Sequence, residues 1–188
     1  MYELLILGVL RGRDMSGYKL GLVLEGSLVP RREISNGVLY PLINRLAAQG
    51  YIEITEKHDG PRNKKMTHIT ELGKQRFQEL MMAPVSIDSK RESIYRFKFR
   101  SMDGVKAEAQ HKILAEYEAN VQTDLNIYQQ VQVHLKEKMT SKPTDYERLK
   151  SAVRALELSI DICKTKQNWI DNYKVEMKQE EKQNGTKE

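Results

Sequence analysis

Apolar positions change their period along this chain. Tyr2–Leu10 is apolar nearly all round, which suits a short buried helix or a central strand. Gly12-Arg13-Asp14 breaks it. Ser16 is placed to cap a second helix over Gly17–Leu24, with Leu20, Val23 and Leu24 inward and Gly26 and Pro30 beyond its end. Ser35 is the N-cap expected for a third helix, where Val38, Leu39, Leu42, Leu46 and Ala47 recur at helical spacing. Pro41 falls within its first two turns, where a missing amide costs less than in mid-helix, and Gly50 stops it. The period then becomes two. Ile52 and Ile54 alternate with Glu53 and Thr55, a turn cluster fills His58–Asn63, and Lys64–Thr70 forms a second strand with Met66 and His68 on one face. A fourth helix follows Thr70, carrying Leu72, Phe77, Leu80 and Met81.

Beyond Pro84 the pattern is one of long helices. Nine of the 11 glycines lie before that residue. Val105, Ala109, Ile113, Tyr117, Val121, Leu125, Tyr128, Leu135 and Met139 form a stripe that Asp103 is placed to cap. A last helix restarts at Thr144 or Asp145. Its alternating three-four spacing runs through Tyr146, Leu149, Val153, Leu156, Ile160, Cys163, Gln167, Ile170, Lys174 and Met177, a heptad seam of about four repeats that Gln167 and Lys174 interrupt near its C-terminal end. The seam needs a partner helix: the preceding one, or its own copy in a second subunit. Ala152, Ala155, Ile162 and Trp169 lie off it, which argues for more than two helices. The expected assembly is a homodimer through Leu149, Val153, Leu156, Ile160, Cys163 and Ile170; the alternative is a monomeric helical hairpin.

Helix, helix, helix, hairpin and helix within about 80 residues is the plan of a winged helix-turn-helix, which sets its second helix-turn-helix helix in a DNA major groove. The expected fold is therefore mainly α with a small β-hairpin. Residues 1–83 form a winged helix-turn-helix DNA-binding domain, and residues 84–188 a helical dimerisation and effector-sensing domain.

Charge sharpens this picture only locally. The 188 residues carry 31 Lys and Arg against 26 Asp and Glu, a surplus of +5 that permits a polyanionic partner without requiring one. Around the hairpin turn, however, Lys57, Arg62, Lys64 and Lys65 face a single acid, Asp59. Four cations on a protruding loop would neutralise phosphates and release counterions. The lone Cys163 excludes an intramolecular disulfide and a cysteine-built zinc site. No apolar run approaches the roughly 20 residues of a membrane span. The expected setting is cytoplasmic, with no membrane partner.

Several short motifs resemble the PadR family of bacterial transcription regulators. They are Ser16-Gly17-Tyr18, Ser35-Asn36-Gly37-Val38-Leu39-Tyr40-Pro41, Leu46-x-x-x-Gly50-x-Ile52 and Thr70-x-x-Gly73. The tyrosine-proline pair is the specific element, because proline is seldom tolerated inside such a helix. The resemblance covers residues 4–80. More weakly, Glu92–Phe99 and Asp103–Ala109 resemble the segments that follow the winged domain in longer members. It implies a homodimeric repressor, less often an activator, of a pseudo-palindromic operator, released by a small molecule such as an aromatic or phenolic acid.

On that footing Ser35, Asn36, Asn44 and Arg45 are the candidates for base readout, with Tyr40 on the backbone. Asparagine pairs bidentately with adenine and arginine with guanine. Gly37 and Val38 offer no polar contact. Tyr18 and Lys19 open the helix that grips the backbone, and Lys57, Arg62, Lys64 and Lys65 complete the DNA-binding set. Two readings stay open for Tyr18 (backbone contact or core) and for Arg31 and Arg32 (phosphate contact or solvated loop). The alternation of aromatic and basic residues over Ile94–Arg100 makes Tyr95, Phe97 and Phe99, with Trp169, a candidate effector pocket; interdomain core is the other reading. His58, His68, His111 and His134 show no metal-ligand spacing, and no phosphate loop or nucleophile elbow is present. Neither an enzyme nor a cofactor or metal is expected. The alternative function is a winged-helix structural or adaptor protein that binds protein and assembles through its long helices.

Overall fold

A computed structural model of the chain describes residues 2–29, 31, 33–59, 62–141 and 143–185. Contacts divide it into two compact units, Met1–Ile113 and Leu114–Glu188. The first unit runs about thirty residues past Pro84 because a helix beyond that proline packs on the N-terminal helix.

In the first unit, α1 (Tyr2–Leu10) is the central element: Leu4, Leu5, Ile6, Leu7 and Leu10 are all buried. Full burial of each such side chain contributes about 1.5–3 kcal/mol. The near-continuous apolar run is thereby explained. It packs against α2 (Gly17–Ser27), α4 (Glu71–Met82), α5 (Arg91–Arg100) and the sheet. The sheet has three antiparallel strands in the order β1-β3-β2: β1 (Met15–Ser16), β2 (Ile52–Asp59) and β3 (Arg62–Ile69). The β2–β3 register runs from Ile52 opposite Ile69 to Asp59 opposite Arg62. The hairpin expected from the alternation is present, and β1 adds a third strand, with Met15 opposite Thr67.

The helix-turn-helix comprises α2 and α3 (Asn36–Ala48). Ser16 caps α2 by accepting from the Lys19 amide at 3.4 Å. The helix runs to Ser27, so Gly26 lies inside it rather than ending it. Two glycines one turn apart let α3 come close. A Cβ on Gly17 would stand 3.0 Å from the Tyr40 ring, and one on Gly21 3.0 Å from Leu39. Ser35 holds the N-cap position of α3 in extended backbone, but its hydroxyl makes no capping bond. The turn is held instead by Glu25 of α2, which accepts from the Ile34 amide at 3.2 Å. Pro41 is the sixth residue of α3, and the carbonyl it leaves unbonded is that of Gly37, which is exposed to water. Gly50, at φ +73°, ends the helix in the left-handed region, with the Tyr51 amide returning to the Leu46 carbonyl at 3.0 Å.

Thr70 and Gly73 join hairpin to α4. The Thr70 hydroxyl accepts from the Gly73 amide at 3.0 Å and donates to the Gly50 carbonyl at 2.6 Å. A Cβ on Gly73 would fall 2.0 Å from the Tyr51 carbonyl oxygen, so no other residue fits without movement. Leu72, expected on the inner stripe, is exposed because this tight junction turns it outward. Asp103 does not cap the long helix. It lies in a 3-10 turn (Met102–Gly104), where it pairs with Arg11 at 2.8 Å, and α6 (Ala107–Ser141) starts three residues later.

In the second unit the remainder of α6 and α7 (Tyr146–Gly185) run antiparallel. Glu118, early in α6, takes the Lys174 ammonium at 2.6 Å and the Gln167 amide at 3.2 Å; Gln132, later in α6, reaches Glu157. The heptad seam is covered within the one chain. Leu149, Val153, Ile160, Cys163 and Ile170 are buried and Leu156 is half-buried, alongside Leu114, Tyr117 and Val121. These are the residues expected at a dimer interface. Their burial here makes them the interior of an α6–α7 hairpin, because a helix offers its apolar stripe to whichever partner is nearest. The large apolar side chains these helices leave exposed are others, among them Ile127, Val131, Leu158, Ile162 and Trp169.

Candidate nucleic-acid interface

Helix α3 has two unlike faces. Leu39, Ile43 and Leu46 are buried and fix it to the first unit. Asn36, Tyr40, Asn44 and Ala48, four apart, form a continuous exposed row, flanked by Val38 and Arg45. No side chain of that outer face is needed to seal the core. Tyr40 is 45% exposed, and its ring leans on Gly17 at the start of α2. Tyr18, 71% exposed, and Lys19 stand at that same helix start, which decides Tyr18 against core. Amides at a helix start carry a partial positive charge suited to a phosphate. Ser35, Asn36, Tyr40, Asn44, Arg45, Tyr18 and Lys19 are thus brought onto the exposed side of α2 and α3.

The hairpin supplies the other group. Lys65 is exposed. Lys57 and Lys64 are opposite one another in the register, with Asp59 opposite Arg62, while the side chains of Lys57, Arg62 and Lys64 lie outside the described residues, as does Arg32. Arg31 is exposed. At the root of the hairpin His68 joins three segments: Nδ1 meets the Asp14 carboxylate at 2.7 Å and Nε2 the Thr55 hydroxyl at 2.5 Å. Asp14 immediately precedes β1, so this contact ties the wing to the chain entering α2. Sequence reasoning missed it, since nothing in the spacing of Asp14, Thr55 and His68 shows that β1 joins the sheet. It also passed over Val38, 49% exposed, whose methyls suit the C5-methyl of thymine.

The expected effector residues separate. The alternation over Ile94–Arg100 falls on a helix, α5, not a strand, and Tyr95 and Phe97 are buried in the first unit's core. Phe99 is half-buried and its ring stacks on Tyr95 at 6.0 Å. Being interior filling, Tyr95 and Phe97 do not wall an open recess. Trp169 belongs to the second unit, where it is 43% exposed and lies against Tyr173 at 5.3 Å. Arg76 is held firmly protonated by its hydrogen bonds to Glu3 and Glu79, which fastens α4 to α1.

Residues 6–79, the winged unit without its α5 extension, match the model of the Transcriptional regulator PadR-like family. That match covers under half of the 188-residue chain. No curated protein matches the chain. Among solved structures it is similar to Bacillus subtilis PadR in complex with operator DNA, at 19% identity and a TM-score of 0.43, covering 90% of this chain and 98% of that one. Also similar are the same regulator in complex with p-coumaric acid (20%, TM-score 0.39, 90% and 98%) and a PadR-like regulator from Bacillus cereus (20%, TM-score 0.40, 89% and 94%). Among the described residues no helix is long and apolar enough to cross a membrane.

Proposed function

We propose that this PadR-like chain is a homodimeric repressor that sets α3 in the major groove of a pseudo-palindromic operator and is released by a small molecule, of which an aromatic or phenolic acid is the class the family resemblance implies. The observation that carries the DNA-binding part is the outer face of α3. A helix locked down by Leu39, Ile43 and Leu46 presents Asn36, Val38, Asn44 and Arg45 outward, beside Tyr18, Lys19 and Tyr40. Asn36, Asn44 and Arg45 read base edges, Val38 meets a thymine methyl, and the α2 start with Tyr18, Lys19 and Tyr40 grips phosphate. Lys57, Arg62, Lys64 and Lys65 reach the flanking backbone.

The dimer places two α3 helices about 34 Å apart, one turn of duplex. It is supported by the exposed apolar side chains of the second unit, Ile127 and Val131 of α6 and Ile162 and Trp169 of α7. The cross-links at Glu118 and Gln132 put Ile127 and Val131 at the same level along the hairpin as Ile162 and Leu158.

The test is a mobility shift with the DNA upstream of the chain's own coding region, at two salt concentrations. Salt-sensitive, sequence-preferring binding by a dimer is expected. Binding without preference over random DNA, at a wild-type fold, removes operator recognition and leaves the adaptor function.

A further inference from the structure

The register that pairs Met15 with Thr67 and Ser16 with Met66 brings Asp14, one residue earlier, opposite His68. Met15 and Thr67 are buried, so the alternation of a strand turns Asp14 and His68 to the outer face of the sheet. On the other side of β3, His68 is opposite Glu53, and Thr55 is its diagonal neighbour two residues along β2. The His68 ring thus reaches from the segment entering β1, across β3, to β2, with Nδ1 2.7 Å from the Asp14 carboxylate and Nε2 2.5 Å from the Thr55 hydroxyl. A carboxylate only accepts, so Nδ1 donates to it. A neutral ring then accepts the Thr55 hydroxyl at Nε2, whereas an imidazolium donates there, and both nitrogens are partnered in either state.

The two groups that the ring joins are particular ones. Asp14 is two residues before Ser16, which caps α2 at the start where Tyr18 and Lys19 stand exposed. Thr55 and His68 lie two and four residues before Lys57 and after Lys64, the pair opposite one another further along the hairpin. The strand β1, two residues long, is otherwise a slight link between α2 and the hairpin. We propose that His68 is a positioning residue for DNA binding: through Asp14 and Thr55 it sets the hairpin against the start of α2, so that both groups meet the phosphate backbone without further ordering. Ordering on association subtracts from affinity, so a preset arrangement binds more tightly than a loose one. The assignment rests on the DNA-binding function proposed above.

Asp14→Ala separates this brace from simple charge. Loss of an acid favours a polyanionic partner, so electrostatics alone predicts tighter binding, and loss of the brace predicts weaker. Glu53→Ala removes an exposed carboxylate beside the brace and is the control. Affinity of the full chain is measured at low salt for a duplex of random sequence, because backbone contacts carry no sequence information and the result does not depend on finding an operator. Asp14→Ala and His68→Ala should bind about three- to tenfold more weakly than wild type, and Glu53→Ala as tightly or more so. His68→Asn, whose amide nitrogen takes the place of Nδ1, should restore most of the loss. Without DNA, hydrogen exchange at the amides of residues 15–19 should quicken in Asp14→Ala and His68→Ala but not in His68→Asn. The pair is partly exposed, so the unfolding midpoint should stay close to that of wild type. Tighter binding by Asp14→Ala, His68→Asn as weak as His68→Ala, or unchanged exchange each overturns the assignment. A wild-type chain that binds no duplex removes the DNA-binding function and this assignment with it; duplex binding that none of the variants alters leaves the function and removes the brace alone.

Discussion

Replacing Gly73 by alanine tests the junction between hairpin and α4. Alanine is the better helix former by about 1 kcal/mol, so helix propensity alone predicts stabilisation. The structure predicts the opposite. The new Cβ would stand 2.0 Å from the Tyr51 carbonyl oxygen and 2.9 Å from the Ile69 side chain. The first contact is with backbone, so no rotamer change relieves it. The helix start must move away by more than an ångström. That movement breaks the Thr70 amide bond to Tyr51, now 3.1 Å, and the Thr70 cap on the Gly73 amide. Overpacking costs about 1–3 kcal/mol and loss of a cap about 1 kcal/mol. Set against the propensity gain, the net is a destabilisation of about 1–3 kcal/mol. Gly26→Ala is the matched control. It lies in the last turn of α2 with nothing within 4 Å of its added Cβ, so it should be neutral or stabilising by about 0.5 kcal/mol. Urea unfolding followed by circular dichroism, at one fixed protein concentration, gives both values. A Gly73→Ala protein as stable as wild type would refute the reasoning.

Other outcomes follow from the interface and the hairpin. Arg62→Ala, Lys64→Ala and Lys65→Ala together should weaken binding to every DNA sequence and flatten the logarithmic salt slope by about 0.9 for each phosphate no longer neutralised, read from affinities at several salt concentrations. Asn44→Ala or Arg45→Ala should instead change which operator variants are preferred, by about 1–3 kcal/mol at the base concerned, in a competition assay. A uniform loss would move that residue to the backbone. Charged residues at Ile127 and Ile162 should give monomers by sedimentation, whereas the same change at buried Ile160 should unfold the hairpin. The Lys174 ammonium, chiefly by hydrogen bonding, holds the Glu118 carboxyl below the usual glutamate range. A depressed folded value means this stabilisation is present above the unfolded pKa and is lost as pH falls through the folded one. The stability gap between wild type and Lys174→Met should therefore narrow from neutrality to about pH 3, below the ordinary glutamate value of about 4.3. A gap that widens in acid would contradict the pairing.

Much of the first unit was legible because its punctuation is local. Thr70 with Gly73, Gly50, and Pro41 early in a helix each signal one backbone event, and each event is there. What failed involves distant partners. Asp103 has the side chain of a cap, but Arg11 claims it from 92 residues away. A two-residue strand such as β1 has no period to detect. The basic-aromatic alternation of residues 94–100 left pocket and core open, and burial of Tyr95, Phe97 and Lys98 on helix α5 favours core. In the second unit the heptad pattern announces that a partner helix exists without saying which. Here α6 of the same chain takes the place. The exposed face of α3 was readable as a set because exposure on that helix follows from which positions are apolar.

The two faces of α3 bear on how such a regulator can change its target. Leu39, Ile43 and Leu46 keep the helix seated, and the glycines at 17 and 21 set how deeply it sits. Asn36, Asn44 and Arg45 are exposed and lie outside that buried set. Folding and the proposed address thus fall on separate letters of one thirteen-residue helix. Substitutions at the outer positions can drift, or be shuffled deliberately, while the scaffold stays constant, so a library randomised at those three sites should yield folded proteins with new operator preferences.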